Sequence, residues 1–185
     1  MAVSFGRGHP AGGPATEQAL SFCPRAHMRL TEILSPSRIV LDPEGRRAAT
    51  KEAALATLAE LVAADVGLPE KEILTPLLER EKLQSTGIGE GVAIPHCSLG
   101  HLEHQVAALL LCRTGIPFDA IDGANVQIVF AVLAPKKAAS DHLKILAKIS
   151  RLLRSPETRR RLLDAATPEQ AFALIEEHDE RATVT

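Results

Sequence analysis

The chain has 185 residues, of which 45% are apolar and 24% charged, proportions that suit one domain with a sizeable core. Lysine and arginine number 21 against 23 acidic residues, a formal charge of −2, so no basic surplus advertises nucleic acid or anionic lipid. Five phenylalanines, with no tryptophan or tyrosine, leave little for stacking on bases or sugars.

The three cysteines, Cys23, Cys97 and Cys112, form neither a Cys-x-x-Cys pair nor an even framework, which points to a reducing compartment. The longest apolar run, residues 106–112, is far too short to span a membrane and suits a buried strand. A cytoplasmic protein with no membrane insertion is expected.

Residues 1–27 differ in kind from the rest. Gly6, Gly8, Pro10, Gly12, Gly13 and Pro14 break any period, and no apolar stretch is long enough for a secretory signal. They read as a disordered arm, with Met28 a natural start for the folded unit, a domain over 28–178 and a short tail over 179–185. Within the domain, residues 31–34 suggest a short helix and residues 38–42 a strand. A long helix over 47–66 follows, with Leu55, Leu58, Val62 and Val66 on one face and Gly67 closing it. Pro69 opens a second helix to about residue 81; Pro76 must either kink it or mark a late start capped by Thr75. Segments 105–113 and 126–133 are nearly all apolar and read as strands buried on both faces. A helix capped by Ser140 or Asp141 comes next, and Ser155-Pro156 and Thr167-Pro168 each place a cap before an N1 proline. The sum is an α/β (α+β) domain: one mixed sheet of about four to five strands flanked by helices.

Residues 85–98, Ser-Thr-Gly-Ile-Gly-Glu-Gly-Val-Ala-Ile-Pro-His-Cys-Ser, hold the densest chemistry. Gly87, Gly89 and Gly91 free the backbone for a mobile approach, and Pro95 stiffens the mount of His96 at a strand end. No lysine follows the last glycine, and a strand follows in place of a helix, so neither a Walker loop nor a dinucleotide fingerprint fits. His96, Cys97, His101 and His104 could be weighed as zinc ligands, but adjacent residues on a strand face opposite ways and no helical pair orders the set. His142, in the first turn of a helix, could meet an anion there or be merely exposed. Arg80 is similarly open, and Arg159-Arg160-Arg161 reads as a solvated face.

Taken together, Arg80-Glu81-Lys82, Ser85-Thr86-Gly87-Ile88-Gly89 and Gly91-Val92-Ala93-Ile94-Pro95-His96 resemble the signature of the enzyme IIA domains of the bacterial phosphotransferase system. The branch is the fructose/mannitol type, which includes the nitrogen-regulatory enzyme IIA. The likeness runs on through residues 118–123 and 129–135 to His142-Leu143, covering about 30–175. Gln84, where relatives often carry glycine, is a departure that could alter loop mobility.

The resemblance implies a mixed sheet flanked by helices and a phosphoryl group carried on His96. The group would come from a phosphohistidine carrier of the HPr or NPr type and go to a IIB domain, or serve as a signal to regulatory target proteins. His142 would steady the phosphoryl group and Arg80 would bind its oxygens, with Ser85, Thr86 and the Gly87 amide as further donors. Chemistry supports these roles, since phosphoryl transfer between imidazoles needs positioning and hydrogen-bond donors more than covalent help. No metal, nucleotide or other cofactor is required. With no IIB-like or membrane segment in the sequence, a nitrogen-regulatory carrier is expected, and a sugar-specific IIA is its rival. A binding module whose His96 is never phosphorylated, or a zinc protein, are the alternatives from other classes.

Deleting residues 1–27 is expected to leave the melting temperature unchanged, and a large fall on thermal denaturation would make the arm part of the fold.

Overall fold

The computed structural model describes residues 28–183; the expected arm lies outside them. Single 3₁₀ turns at Leu30–Glu32 and Pro36–Arg38 lead into β1 (Ile39–Leu41). Two helices, α1 (Lys51–Val66) and α2 (Glu70–Leu83), precede the short strands β2 (Gly87–Gly89), β3 (Val92–Ala93) and β4 (His96–Leu99). The long strands β5 (Val106–Ile116) and β6 (Val126–Pro135) follow, then α3 (Ala139–Arg154), α4 (Pro156–Asp164) and α5 (Pro168–Thr183). None of these helices is long and apolar enough to cross a membrane.

The sheet runs β1-β5-β6-β3-β2, with β4 also paired to β6. The β5–β6 pair is antiparallel, whereas β1 is parallel to β5, and β3 and β4 are parallel to β6. Period-two alternation divides the core between the faces of this sheet. Ala108, Leu110, Cys112, Val129, Ala131 and Leu133 pack with α1 and α2. Their neighbours Ala107, Leu109, Leu111, Ile128, Phe130 and Val132 pack with α3, α4 and α5. Both strands are therefore buried on two sides, as their unbroken apolar runs indicate.

Six strands form where four to five are expected, and Pro95 explains part of the difference. Val92 pairs with Ile128, Ala93 with Val129, His96 with Val132 and Cys97 with Leu133, so β3 and β4 keep one register along β6. They are one course, divided where Pro95 has no N–H to give the ladder. The Pro95 carbonyl still accepts from the Val132 amide at 2.9 Å.

Other boundaries differ for local reasons. The long helix starts at Lys51 because the Asp42 carboxylate takes the amides of Arg46, Arg47 and Ala48 at 2.9 Å, and Thr50 caps the helix through Ala53. In α2 the chain is already helical before Pro76, which rules out a late start. Ile73 and Leu77, both buried, pack on either side of the proline, and their burial at about 1.5–3 kcal/mol each offsets the roughly 3 kcal/mol an interior proline costs. Neither Ser140 nor Asp141 caps α3; Ala138 occupies the cap and Asp141 accepts from Lys144. The arginine triplet is not a solvated face throughout. Arg159 donates to the Leu153 and Arg154 carbonyls and pairs with Glu90 at 2.8 Å, while Arg161 pairs with Glu177.

The expected boundary at 178 falls inside α5. Asp179, 1% exposed, accepts from the Thr31 amide and hydroxyl and pairs with Lys148 at 2.7 Å, tying α5 to the first turn of the domain and to α3. Removing one partner of a buried pair leaves the other uncompensated. Asp179→Ala is accordingly expected to lower the unfolding free energy by about 3 kcal/mol in urea titrations; a loss below about 1 kcal/mol would leave this tie without importance.

Candidate active site

His96 opens β4 immediately after the proline break. It shares a face with Ile94 and Val92, two and four residues back, and that face carries the cluster packed by α3. Cys97 turns the other way, into the cluster of α1 and α2. Burial pushes its thiol up to about 12, so it stays protonated and is no nucleophile at neutral pH. Among the described residues no group of three or more His, Cys, Asp or Glu side chains is placed to share a metal ion.

His96 Nδ1 lies 2.8 Å from the Ile94 carbonyl oxygen. A carbonyl can only accept, so Nδ1 carries the proton and Nε2 keeps a free lone pair. His142, 8% exposed, brings its ring to 5.6 Å between centroids from that of His96, inclined at 52°. Its own amide donates to the Ala138 carbonyl at 3.0 Å, so it sits a full turn into α3 and not beside a cap. Its Nδ1 is sealed from solvent, with no hydrogen-bond partner among the described residues.

Both imidazoles are held below their ordinary pKa, chiefly by burial. For His96 the Ile94 carbonyl works against that shift, Arg80 adds to it and Glu81 opposes it. For His142 the neighbouring His96 adds to it. At neutral pH the pair is uncharged, which keeps the His96 lone pair available.

Arg80, in the last turn of α2, is near enough for its charge to reach His96, and its Nη1 donates to the Gln84 carbonyl at 3.0 Å. Gln84 is extended, with φ −168°, a backbone that any residue adopts, so its replacement of glycine costs nothing in conformation. The Ser85–Gly87 donors are engaged by groups of the protein itself. Ser85 Oγ donates to the Phe118 carbonyl at 2.8 Å and accepts from the Gly87 amide at 3.2 Å. Thr86 gives both its amide and its hydroxyl to Glu81. The expected donor loop is thus spent on holding itself, and the expected mobile approach is a bonded hairpin. A Cβ on Gly87 would stand 2.7 Å from Ala120 Cα, so only glycine fits that approach.

Sequence reasoning did not assign Glu81 or Lys51. Glu81 is buried, and Lys51 Nζ reaches it at 3.2 Å and Asp119 at 2.7 Å. The charged Arg80-Glu81-Lys82 run hides this division of labour, because a buried carboxylate and an exposed one look alike in sequence.

The geometry thus brings together one histidine on the sheet, a buried one on α3 and an arginine at the end of α2. The family model for the EIIA 2 component of the phosphoenolpyruvate-dependent sugar phosphotransferase system matches residues 32–178, and the chain belongs to that family. It is 38% identical over 151 residues to the nitrogen regulatory protein of Pseudomonas aeruginosa, covering 80% of this chain and 95% of that one. The fructose-specific EIIA component of Haloferax volcanii is 33% identical, over 81% of this chain and 98% of its own. The crystal structure of nitrogen regulatory protein IIA-Ntr from Neisseria meningitidis superposes with a TM-score of 0.73 at 32% identity, covering 78% and 97% of the two chains.

The depressed pKa values fix a sign. An unfolded chain protonates these histidines near pH ~6.5, whereas the folded rings resist protonation until lower pH. Their contribution to stability is present above the unfolded value and is lost as the pH falls through the folded ones. Titration by NMR should place both rings below 6.5, and His96→Gln should raise the His142 value. An unmoved His142 would mean that the two rings are not coupled.

Proposed function

We propose that this chain is a phosphoryl carrier of the phosphotransferase system with a nitrogen or metabolic regulatory role, and that Nε2 of His96 is the acceptor. The observation that carries this reading is the Nδ1–Ile94 hydrogen bond. It commits the proton to one nitrogen and turns the other, unprotonated, toward incoming phosphorus. The donor is a phosphohistidine on an HPr- or NPr-type carrier protein. The Nε2 lone pair forms the new N–P bond as the donor's N–P bond breaks, and that electron pair stays on the donor ring. The proton stays on Nδ1, hydrogen-bonded to the Ile94 carbonyl, so no base is needed.

His142 and Arg80 supply what the moving group requires. The His142 ring stands beside His96, and its one N–H can donate to a phosphoryl oxygen. The Arg80 guanidinium has donors left after its single bond to Gln84 and presents them as a fork. No cofactor enters the transfer. Leu83, Ile88, Ile121 and Leu143 are large apolar side chains exposed on the elements that carry Arg80, the hairpin, its neighbouring loop and His142. They suit docking of a carrier protein and of a regulatory target or IIB domain. A chain trading phosphoryl groups with such a carrier works in the cytoplasm. The likeness to a fructose-specific component favours one second reading, a sugar carrier that passes the group to a separate IIB.

Incubation with enzyme I, a histidine carrier and labelled phosphoenolpyruvate is expected to give an acid-labile, base-stable adduct that is absent from His96→Ala. His142→Ala should accept label but pass it on poorly. Equal labelling of wild type and His96→Ala would sink the assignment of His96, and rapid onward transfer to an added IIB domain would favour the sugar carrier.

A further inference from the structure

Beneath the site lies a buried carboxylate that the transfer itself does not use. Glu81, on the last turn of α2, is 6% exposed. Burying a carboxylate is costly unless its oxygens are satisfied, and here they are. Both oxygens lie 3.1 Å from the Thr86 amide, Oε2 also takes the Thr86 hydroxyl at 2.5 Å, and Oε1 takes Lys51 Nζ at 3.2 Å. Lys51 in turn reaches Asp119 and lies over the Phe118 ring at 5.2 Å.

This cluster does not end at the loop. Thr86, fixed through its amide and hydroxyl, turns its carbonyl to the Ile94 amide, which donates to it at 3.0 Å. The carbonyl of Ile94 is the acceptor for His96 Nδ1 at 2.8 Å. A continuous line of hydrogen bonds therefore runs from Lys51 and Glu81 through Thr86 and Ile94 to the acceptor ring. We propose that Glu81 is a positioning residue for His96: by clamping Thr86 it fixes the carbonyl that selects the tautomer and the aim of Nε2. Lys51 neutralises the clamp and joins it to the 118–123 loop. A carboxylate suits the task because it accepts the three Thr86 and Lys51 donors at once, which no apolar side chain could do. The charges that face His96 are Arg80 and Glu81, which act on it in opposite directions, with the neutral His142 ring beside it.

The inference rests on His96 being the acceptor, yet its first readout does not need phosphorylation. In ¹⁵N NMR of the unphosphorylated full chain, His96 should show the Nδ1–H form in wild type. In Glu81→Gln, which keeps the size of the side chain, a mixture of tautomers and a lower His96 pKa are expected. Thr86→Val and Lys51→Met, which keep the Glu81 charge, should likewise mix the tautomers, and they serve if Glu81→Gln does not fold. Label transfer from a phosphorylated histidine carrier should slow on the order of tenfold in Glu81→Gln, through loss of aim. An unchanged tautomer in a folded Glu81→Gln or Thr86→Val would overturn the proposal, whatever happens to stability. If wild type takes no label while the tautomer still shifts, the carrier reading fails and the positioning role of Glu81 stands.

Discussion

The site depends on the register of one strand against the centre of the sheet. From Val92 to Leu99 the chain follows β6 without a slip, and only the missing N–H of Pro95 interrupts its ladder. Because side chains alternate, this register alone decides that Ile94 and His96 look toward α3 while Ala93 and Cys97 look toward α1 and α2. A shift of one residue would bury the imidazole among the aliphatic side chains under α2 and turn the thiol toward His142. The β5–β6 pair, buried on both faces, guards against that shift, since a slip would displace the apolar contacts of both layers together.

The rest of the site is assembled from a distance. His142 arrives on a helix separated from the end of β6 by three residues, so the strand that pairs with His96 also delivers the second ring. Arg80 and Glu81 come from adjacent positions of α2 and divide the work: one guanidinium at the rim, one carboxylate beneath the loop. Their opposite effects on His96 leave burial as the main influence on its charge. Neutrality here comes from enclosure and not from a strong ionic partner, which suits the acceptor role proposed for His96.

Much of this was legible in the chain. Unbroken apolar runs gave away β5 and β6, and the Ile-Pro-His sequence pointed to a stiffened histidine. His142 and Arg80 were recognisable through their place in a family pattern. The donor loop was not legible, because hydroxyls and glycine amides look available in sequence whether or not a carboxylate has claimed them. Thr86 and Ser85 are committed inward by Glu81 and by the Phe118 carbonyl, one from the preceding helix and one from a loop more than thirty residues on. The first turn of α3 misled for a related reason: Ser140 and Asp141 are good caps in isolation, but β6 and the turn after Pro135 set the start of that helix at Ala139.

The committed loop also alters what the glycines are for. A flexible stretch would let the His96 ring wander, whereas the transfer proposed for it gains most from a nucleophile already aimed. Gly87 is required by the close approach of Ala120, and the Gly89-Glu90-Gly91 tip turns at positive φ so that β2 can fold back on β3. Glycine here permits tight packing, and the packing holds Thr86 where its carbonyl can steady Ile94. On the proposed reading, a phosphoryl group on His96 would find its donors in Arg80, His142 and the partner protein rather than in a loop already committed to its own packing.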